Sequence, residues 1–332
     1  MKKIVYLLFS ACLPWFTFAQ DTFSIVAVDP ATGEVGSAGA SCISATNLAI
    51  YFPGIAPDFL GDLLPGLGAI NTQSFYLAQN QQNARTRLLA GDTPQQVVDW
   101  LAANDAQGNS SQRQYGVVAL INNEAQAAAF TGVNCLNFKS HRVGPNYAIQ
   151  GNILLGAQIL DSMESRFLAA GGCLSDRLMA ALQGAKVPGA DSRCLSNGTS
   201  AMFAFIKVAK PADDPANPTV RLFVSYDPVG IEPIDSLQAR YDAAAPCTTP
   251  VQEADQGLEF SVRPNPASGS ATIWLPAGAL VQLEVLDAAG RLLEFHPAVV
   301  SGQQLELSRP GLYFIKIQDA AGNTAVRKVV VY

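Results

Sequence analysis

The chain has 332 residues, of which 49% are apolar and 14% are charged, so it can form about two domains with a sizeable core. Its 21 basic and 27 acidic residues give a formal net charge of −6, which leaves no basic surface for a run of phosphates and argues against nucleic-acid binding. The chain has two histidines, His141 and His296, too few for a multi-histidine zinc site. We therefore expect chemistry that needs no metal and no organic cofactor.

Residues 1–20 have the features of a secretory signal peptide. A lysine pair precedes the apolar run of residues 4–13, and Thr17 and Ala19 are small residues at the positions that a signal peptidase inspects. A second possibility is acylation of Cys12, as in a lipoprotein signal. No later apolar stretch approaches the roughly 20 residues needed to cross a bilayer. We expect a secreted protein with no stable membrane span.

Residues 21–246 are predicted to form one domain with strand pairs at both ends and helices between them. Thr22–Asp29 and Glu34–Ser41 alternate on either side of a Pro- and Gly-containing turn, as in a hairpin. This order is typical of an α+β fold with two antiparallel sheets packed face to face and covered by helices. Further strands are predicted at 66–75, 114–121, 125–131, 147–154, 198–208 and 220–227, and helices at 76–89, 95–103, 157–170, 174–183 and 235–241.

Six segments of this domain resemble, in the same order, the bacterial family catalogued as domain of unknown function 1028. The resemblance implies the fold of the N-terminal-nucleophile (Ntn) hydrolases, a four-layer αββα sandwich, without establishing a substrate. The segments are TFSIVA at 22–27, RQYGVV at 113–118, AFTG at 129–132, NYAIQGNIL at 146–154, GADSR at 189–193 and EPIDSL at 232–237.

The resemblance places Thr22 at the nucleophile position. In an Ntn hydrolase the first residue supplies both the nucleophile and, through its α-amine with a reference pKa of about 8, the base. This suits a domain with a single histidine. Gln20 and Asp21 precede Thr22, so Thr22 can use its own amine only if Asp21 is also removed. Otherwise Thr22 is an ordinary strand residue, and the domain is a catalytically silent extracellular binding module on the same fold.

Polar residues near turns are the candidates to bind a substrate. Asp191 and Arg193 would orient a polar group, because the guanidinium fork matches a carboxylate, although a salt bridge within the loop explains them equally well. Gln150 and Asn152 flank a glycine and would donate to a developing oxyanion, unless they simply stabilise a buried turn. With Thr22 they would act on an amide bond in a small polar substrate. Gln73 and Arg113 are further candidates to line this pocket.

A conventional catalytic triad is a weaker alternative. His141 is the histidine available to this domain, with Ser41, Cys42 or Cys135 as conceivable partners. No Gly-x-Ser-x-Gly elbow surrounds Ser41, so the sequence does not favour this arrangement.

Export makes the remaining cysteines candidates for disulfides, since no CxxC pair is present among them. An odd number leaves one unpaired, and spacing does not determine the pairing. Cys173 with Cys194 and Cys42 with Cys135 are the pairs considered first. The five cysteines beyond the signal peptide are Cys42, Cys135, Cys173, Cys194 and Cys247.

Residues 247–257 lack helical or strand periodicity and are predicted to be a linker. The remaining residues, 258–332, contain short alternating segments separated by turn signals, which is typical of a small all-β sandwich. Strands are predicted at 258–262, 271–275, 281–286 and 312–318, with a basic final strand.

Four segments of residues 258–332 resemble the type A C-terminal sorting domain of the type IX secretion system. The resemblance implies export across the outer membrane, the secretion machinery as a partner, and an extracellular or outer-surface location, with the sorting domain removed on arrival. The segments are VRPNPA at 262–267, VLDAAGR at 285–291, PGLYFIKI at 310–317 and RKVVVY at 327–332.

Overall fold

The computed structural model describes residues 22–244, 246–247, 258–287, 290, 292–307 and 309–332. The predicted signal peptide with Cys12, and residues 248–257 of the predicted linker, lie outside the described residues. The chain divides into two compact units, Met1–Cys247 and Thr248–Tyr332. Each unit has a hydrophobic core of its own.

The N-terminal unit combines antiparallel strands with helices, so the predicted α+β class is confirmed at this level. Its strands are β1 (Thr22–Asp29), β2 (Glu34–Ser41), β3 (Gly61–Leu64), β4 (Gly68–Gln73), β5 (Gln114–Ile121), β6 (Glu124–Thr131), β7 (Ser140–Val143), β8 (Tyr147–Gly151), β9 (Phe203–Ala209) and β10 (Val220–Ser225). Its helices are α1 (Ala45–Tyr51), α2 (Ala78–Leu89), α3 (Pro94–Ala103), α4 (Gln158–Ala169), α5 (Leu174–Gly184) and α6 (Pro233–Ala244).

The strands of this unit form two antiparallel sheets. One has six strands in the order β10-β9-β2-β1-β8-β7, and the other has four in the order β3-β4-β5-β6. Strand β1 is therefore an interior strand, paired with β2 on one side and β8 on the other. In this register Ser24 lies opposite both Gly39 and Gln150.

Successive residues of β1 point to opposite faces of the six-stranded sheet, as the pleat requires. Phe23 and Ile25 are fully buried in a cluster with Met163 of α4, Leu178 of α5 and Leu237 of α6. Helices α4, α5 and α6 therefore cover this face of the sheet.

The opposite face of the six-stranded sheet contacts the four-stranded sheet. Val26 and Val28 cluster with Leu63 of β3, Ala69 of β4 and Val118 of β5. The next residues of β3, β4 and β5 point to the opposite face of the four-stranded sheet, and helices α2 and α3 pack against that face. That outer cluster includes Ile70, Leu88, Val97, Leu101, Tyr115 and Val117.

Local sequence signals account for several boundaries. Helix α3 begins with a capping box, in which the Thr93 hydroxyl accepts from the backbone of Gln96 and the Gln96 side chain accepts from that of Thr93. The β5–β6 hairpin turns at Asn122 and Asn123, whose φ angles of 54° and 65° are those of a type I′ turn. In the N-terminal unit the sequence does not predict β3, β7 or α1, because β3 and β7 have four residues each and α1 has seven, too few to show a clear period.

The C-terminal unit is all-β, as predicted. A three-stranded sheet has the order β11-β12-β15, a four-stranded sheet has the order β14-β13-β16-β17, and one buried cluster includes residues from both. The strands are β11 (Ser261–Arg263), β12 (Ser270–Trp274), β13 (Val281–Asp287), β14 (Leu292–Val299), β15 (Gln304–Glu306), β16 (Gly311–Gln318) and β17 (Thr324–Val331). Across the described part of the chain, no helix has the length and apolar character needed to span a membrane.

Candidate functional site

Thr22 is the first residue of β1, at one end of the six-stranded sheet. Its register partner on β2 is Ser41, the last residue of that strand. On the other side, Phe23 pairs with Gly151, the last residue of β8. The C-terminal ends of β2 and β8 and the N-terminal end of β1 therefore lie together at this end of the sheet. Asn152 follows directly from β8.

A buried network of side chains links the two sheets near this end of β1. Gln150 Nε2 donates a hydrogen bond of 2.6 Å to Ser24 Oγ, and Ser24 Oγ donates one of 2.6 Å to Gln73 Oε1. All three residues are buried. Because Ser24 and Gln150 belong to one sheet and Gln73 to the other, these bonds fix the strand ends relative to each other.

Gln114, at the beginning of β5, is the centre of the network. Its Oε1 accepts from Gln73 Nε2 at 2.7 Å and from Asn152 Nδ2 at 3.0 Å. Its Nε2 donates to the Gly151 carbonyl at 2.9 Å and to Thr131 Oγ1 at 2.9 Å. The side-chain amide groups are thereby held in one orientation. The amide nitrogens of Gln150 and Asn152 are predicted from the sequence to donate to an oxyanion. In the structure they donate to Ser24 and Gln114, respectively.

Two amide oxygens of this network, Gln150 Oε1 and Asn152 Oδ1, are buried and have no hydrogen-bond partner among the described residues. Gln150 Oε1 lies against Gly116 of β5, where an added Cβ would be only 2.0 Å from it. The absence of a side chain at Gly116 is thus what lets the Gln150 amide fit between the sheets. Unpaired buried acceptors are costly, so two of them in one network mark this part of the domain as a candidate site.

The backbone leaves both polar strand ends in an unusual conformation. Ser74 and Phe75, which follow Gln73, have φ angles of 55° and 56°, and Ile153, which follows Asn152, has a φ of 52°. A positive φ is rare outside glycine and is a true outlier for a β-branched residue. Such conformations cluster at functional sites, where the surrounding structure enforces them.

Asp191 and Arg193 form an ion pair next to the end of β2. Arg193 Nη2 lies 2.7 Å from Asp191 Oδ2 and Arg193 Nε lies 3.0 Å from Oδ1. Asp191 is fully buried and also accepts from the backbone N–H groups of Cys42 at 2.9 Å and Arg193 at 3.2 Å. The side chain of Arg193 is 33% exposed and its Nη2 reaches Ser41 Oγ at 3.4 Å. The Asp191 carboxylate thus has four donors from the protein, and Arg193 is the member of the pair that reaches solvent.

The disulfides differ from both pairs considered first. Cys42 is bonded to Cys194 and Cys173 to Cys247, so the pairs Cys173–Cys194 and Cys42–Cys135 are wrong. The cause is topological: the end of β2 lies beside the loop after Asp191, whereas the start of α5 lies near the chain that follows α6. Spacing along the sequence carries no information on either contact.

The conventional triad is not formed. Cys42 is in a disulfide, and Cys135 is buried with its Sγ donating to the Arg113 carbonyl at 3.3 Å. His141 Nδ1 lies 2.9 Å from Thr131 Oγ1, and strands β1 and β8 separate its strand from that of Ser41. Burial, together with the Arg142 charge, lowers the pKa of His141 below its usual value. His141 therefore extends the amide network and does not activate a nucleophile on β2.

Arg113 lies outside the network but holds one of its strand ends. Its guanidinium pairs with Asp105 at 2.8 Å, with side-chain exposures of 5% and 2%, and Nη1 donates to the carbonyl of Phe75. Burial alone would raise the pKa of Asp105, but hydrogen bonds from Arg113, from backbone amides and from Asn80 hold that pKa well below its usual range. Arg113 is placed to fix the strained turn after Gln73.

The structure therefore brings Gln73, Gln150 and Asn152 together, places the Asp191–Arg193 pair beside the register partner of Thr22, and puts Arg113 in a separate buried ion pair. Sequence reasoning missed Ser24 and Gln114, which connect the network. Each is a polar residue within an otherwise apolar buried strand, and that is the signal by which both could have been found.

Metal ligands are sparse in the described part of the chain. Cys173, Asp176 and Cys247 are the one group of three potential ligands that lie close together there. Two of them are joined in a disulfide, so their sulfur atoms are not available to a metal.

Comparisons with known proteins agree with this architecture. Residues 22–234 match the family of unknown function DUF1028, and residues 261–332 match the secretion system C-terminal sorting domain. Among solved structures, the crystal structure of a DUF1028 protein from Silicibacter pomeroyi has a TM-score of 0.52 and 25% sequence identity, covering 68% of this chain and 89% of that chain. None of the curated proteins is significantly similar to this chain.

The C-terminal match confirms the expected route and location, namely secretion by the type IX system to the cell surface or beyond. The N-terminal match covers more than half of the chain and includes every strand and helix around the amide network. The chain therefore belongs to the DUF1028 family, and a C-terminal sorting domain for secretion follows its DUF1028 domain.

Proposed function

We propose that the DUF1028 domain is an Ntn-type hydrolase that cleaves an amide bond in a small polar substrate, with Thr22 as its nucleophile. The observation that carries this proposal is the position of Thr22. Thr22 is the first residue of an interior strand and pairs with Ser41. It lies at the same end of the sheet as Asn152 and the Asp191–Arg193 pair. A residue that acts through both its side chain and its α-amine has to be the first residue of the mature chain, and the start of β1 would place such a residue beside polar groups that can bind a substrate.

The packing of the domain supports the Ntn assignment. Helices α4 to α6 cover the six-stranded sheet, that sheet contacts the four-stranded sheet, and α2 and α3 cover the other side. This order is the one expected of an αββα sandwich. The buried amide network lies between the two sheets, at the end where β1 begins.

The proposed reaction follows from the chemistry of a terminal threonine. The Thr22 hydroxyl attacks the amide carbonyl of the substrate while the α-amine takes the hydroxyl proton, and that proton then passes to the departing amine. The acyl group remains on Thr22 as an ester until water releases it. Arg193, partly exposed beside Ser41, orients a polar group of the substrate, and Gln73, Gln150 and Asn152 keep the strand ends in place.

The test compares two substitutions at one position in the mature secreted protein. Thr22→Val keeps the shape of the side chain but removes the hydroxyl, whereas Thr22→Ser keeps a hydroxyl. We expect a panel of small polar amides to be hydrolysed by the parent and by Thr22→Ser, and not by Thr22→Val, with amine release as the measurement. Hydrolysis by Thr22→Val at the parental rate would exclude Thr22 as the nucleophile.

The alternative is an extracellular binding module without catalysis. The observation that favours it is that Gln20 and Asp21 precede Thr22, so the Thr22 nitrogen remains in a peptide bond unless Asp21 is removed. Under this alternative Thr22→Val binds its ligand as tightly as the parent. Mature protein that begins before residue 22 and still binds a small polar amide without cleaving it would support the binding module.

A further inference from the structure

We infer that the Cys42–Cys194 disulfide fixes residues 191–193, here called the Asp191–Arg193 corner, next to the end of β2. This corner reaches its observed arrangement only after the bond forms during export. The inference concerns how the site is assembled, so it does not depend on Thr22 being a nucleophile. It rests on three observations: the hydrogen bonds around Asp191, the exposure of the segment that contains Arg193, and the different location of the second disulfide.

The first observation is that both cysteines flank the site directly. Cys42 follows Ser41, the register partner of Thr22, and its N–H donates to Asp191 Oδ2 at 2.9 Å. Cys194 follows Arg193, and its N–H donates to the Asp191 carbonyl at 2.9 Å. The covalent bond and the Asp191 hydrogen bonds therefore join the same two segments.

The second observation is that most of the segment with Arg193 lies at the surface, so Cys194 is its anchor in the protein interior. Residues Ser192–Asn197 form a 3₁₀ helix in which Cys194 is the one buried residue. Short 3₁₀ helices are weak elements with poor hydrogen-bond geometry, and Leu195 of this helix is 57% exposed. The disulfide is the covalent attachment of this helix to β2, and the helix is also attached by the Arg193–Asp191 ion pair and by the hydrogen bond from Ser192 N–H to the Ile153 carbonyl at 2.9 Å.

The step that forms the bond is a thiol–disulfide exchange. The two thiols of Cys42 and Cys194 become one disulfide, losing two protons and two electrons, and a disulfide oxidant of the export compartment is reduced to its dithiol. Cytoplasmic thiols are kept reduced, whereas secreted proteins pass through an oxidising compartment. The sorting domain directs this chain along that route. In the reduced chain the corner at Asp191 is loose, and oxidation fixes it.

The third observation supplies a control within the same domain. Cys173–Cys247 joins the residue before α5 to the chain after α6. Its hydrogen-bonded neighbours are Ser175 and, through Ser175, Tyr241. Among the described residues, neither of these is hydrogen-bonded to the amide network or to Asp191. Breaking the Cys173–Cys247 bond should leave the Asp191–Arg193 corner unchanged.

The experiment is hydrogen–deuterium exchange on the full secreted chain, comparing Cys42→Ala/Cys194→Ala with Cys173→Ala/Cys247→Ala. We expect amides of residues 191–194 and residue 42 to exchange at least about tenfold faster in the first variant, with amides of β4 and β5 unchanged. The second variant should keep parental exchange at residues 191–194. Parental protection at these residues in Cys42→Ala/Cys194→Ala would overturn the inference.

A second measurement guards against a variant that fails to fold. The parent protein is reduced with dithiothreitol under native conditions and then reoxidised with glutathione disulfide. We expect exchange at residues 191–194 to rise on reduction and return on reoxidation, with the far-ultraviolet circular dichroism constant. Unchanged exchange in the reduced protein, with loss of the Cys42–Cys194 bond verified by mass, would also overturn the inference. Neither readout involves amide hydrolysis, so its outcome is distinct from that of the proposed function.

Discussion

Gly116 is the residue on which the packing of the amide network most directly depends. An added Cβ would lie 2.0 Å from Gln150 Oε1, and Gln150 is not free to move because it is buried and bonded to Ser24. We therefore expect Gly116→Ala to lower the free energy of unfolding by about 1–3 kcal/mol, as overpacking does. Urea denaturation measures this.

The control for that substitution is Gly171→Ala. Gly171 is exposed and an added Cβ meets nothing within 4 Å, so the free energy of unfolding should be unchanged or rise by a few tenths of a kcal/mol, about the gain typical of an unstrained Gly→Ala change. Equal effects of the two substitutions would show that the contact with Gln150 is unimportant.

Asp191 tests whether the ion pair is structural. Asp191→Asn keeps the shape but places an NH₂ group where the carboxylate now accepts from Cys42 and Arg193. We expect a loss of about 2–4 kcal/mol in the free energy of unfolding. Asp99→Asn, on the exposed side of α3, should change it by no more than about 0.5 kcal/mol. A loss at Asp191 as small as that at Asp99 would contradict the structural role.

For individual residues, the sequence predicts which polar side chains belong to one site better than it predicts their hydrogen-bond partners. The sequence predicts Gln73, Gln150 and Asn152 as residues of one polar site, and the structure places them in one hydrogen-bond network; their role in binding a substrate stays a prediction. The amide groups of Gln150 and Asn152 are predicted to donate to an oxyanion, and in the structure each donates a hydrogen bond within the protein, to Ser24 and to Gln114 respectively. That outcome depends on the facing of two sheets distant in sequence, which no local pattern records.

Among the elements, the segment between α3 and β5 has a pH-dependent attachment. The pKa of Asp105 is lowered in the folded state, so its ion pair with Arg113 contributes its full stability above the unfolded pKa of about 3.9. This contribution decreases progressively as the pH falls from that value through the lowered pKa of the folded state. We expect Asp105→Asn to lower the melting temperature clearly at pH 7 and by a smaller amount at pH 3, where the loss of this contribution has begun.

Calorimetry of the parent and Asp105→Asn at both pH values measures this difference. Because other carboxylates titrate equally in the two proteins, they cancel. A difference in melting temperature that stays constant from pH 7 to pH 3 would show that Asp105 does not depend on its charge.

Elements with clear local signals were predicted well, and those without were missed. The capping box at Thr93 and the Asn122–Asn123 turn are encoded by adjacent residues, so α3 and the β5–β6 hairpin follow from the sequence. Strand β7 is a four-residue edge strand and exists because β8 offers it a partner. Such an element is decided by tertiary pairing, not by its own pattern.

For the whole molecule, the two units make separable contributions. The N-terminal unit has its own core, and the C-terminal unit matches the sorting domain. We expect a chain that ends at Cys247 to keep the melting temperature of the N-terminal unit and to remain in the periplasm of a host with type IX secretion. Immunoblots of periplasm and medium measure the distribution. Equal amounts of the truncated and full chains in the medium would contradict this role of the tail.

The order of segments along the whole chain was the most predictable property. Both family resemblances rest on contiguous motifs, such as TFSIVA at the start of β1 and PGLYFIKI in β16, and both matches were found. The disulfides show the opposite case, since Cys42 and Cys194 are 152 residues apart. Long-range contacts of this kind require the fold before they can be assigned.

Under the proposed function, Thr22 becomes the first residue of the mature protein and acts through its own amine. The most direct test is N-terminal sequencing, with intact mass, of the protein recovered from the medium of its native host. The proposal predicts a free amine on Thr22. A mature chain that begins at Gln20 or Asp21, or with an acylated Cys12, would contradict it, because the Thr22 nitrogen would then remain in a peptide bond.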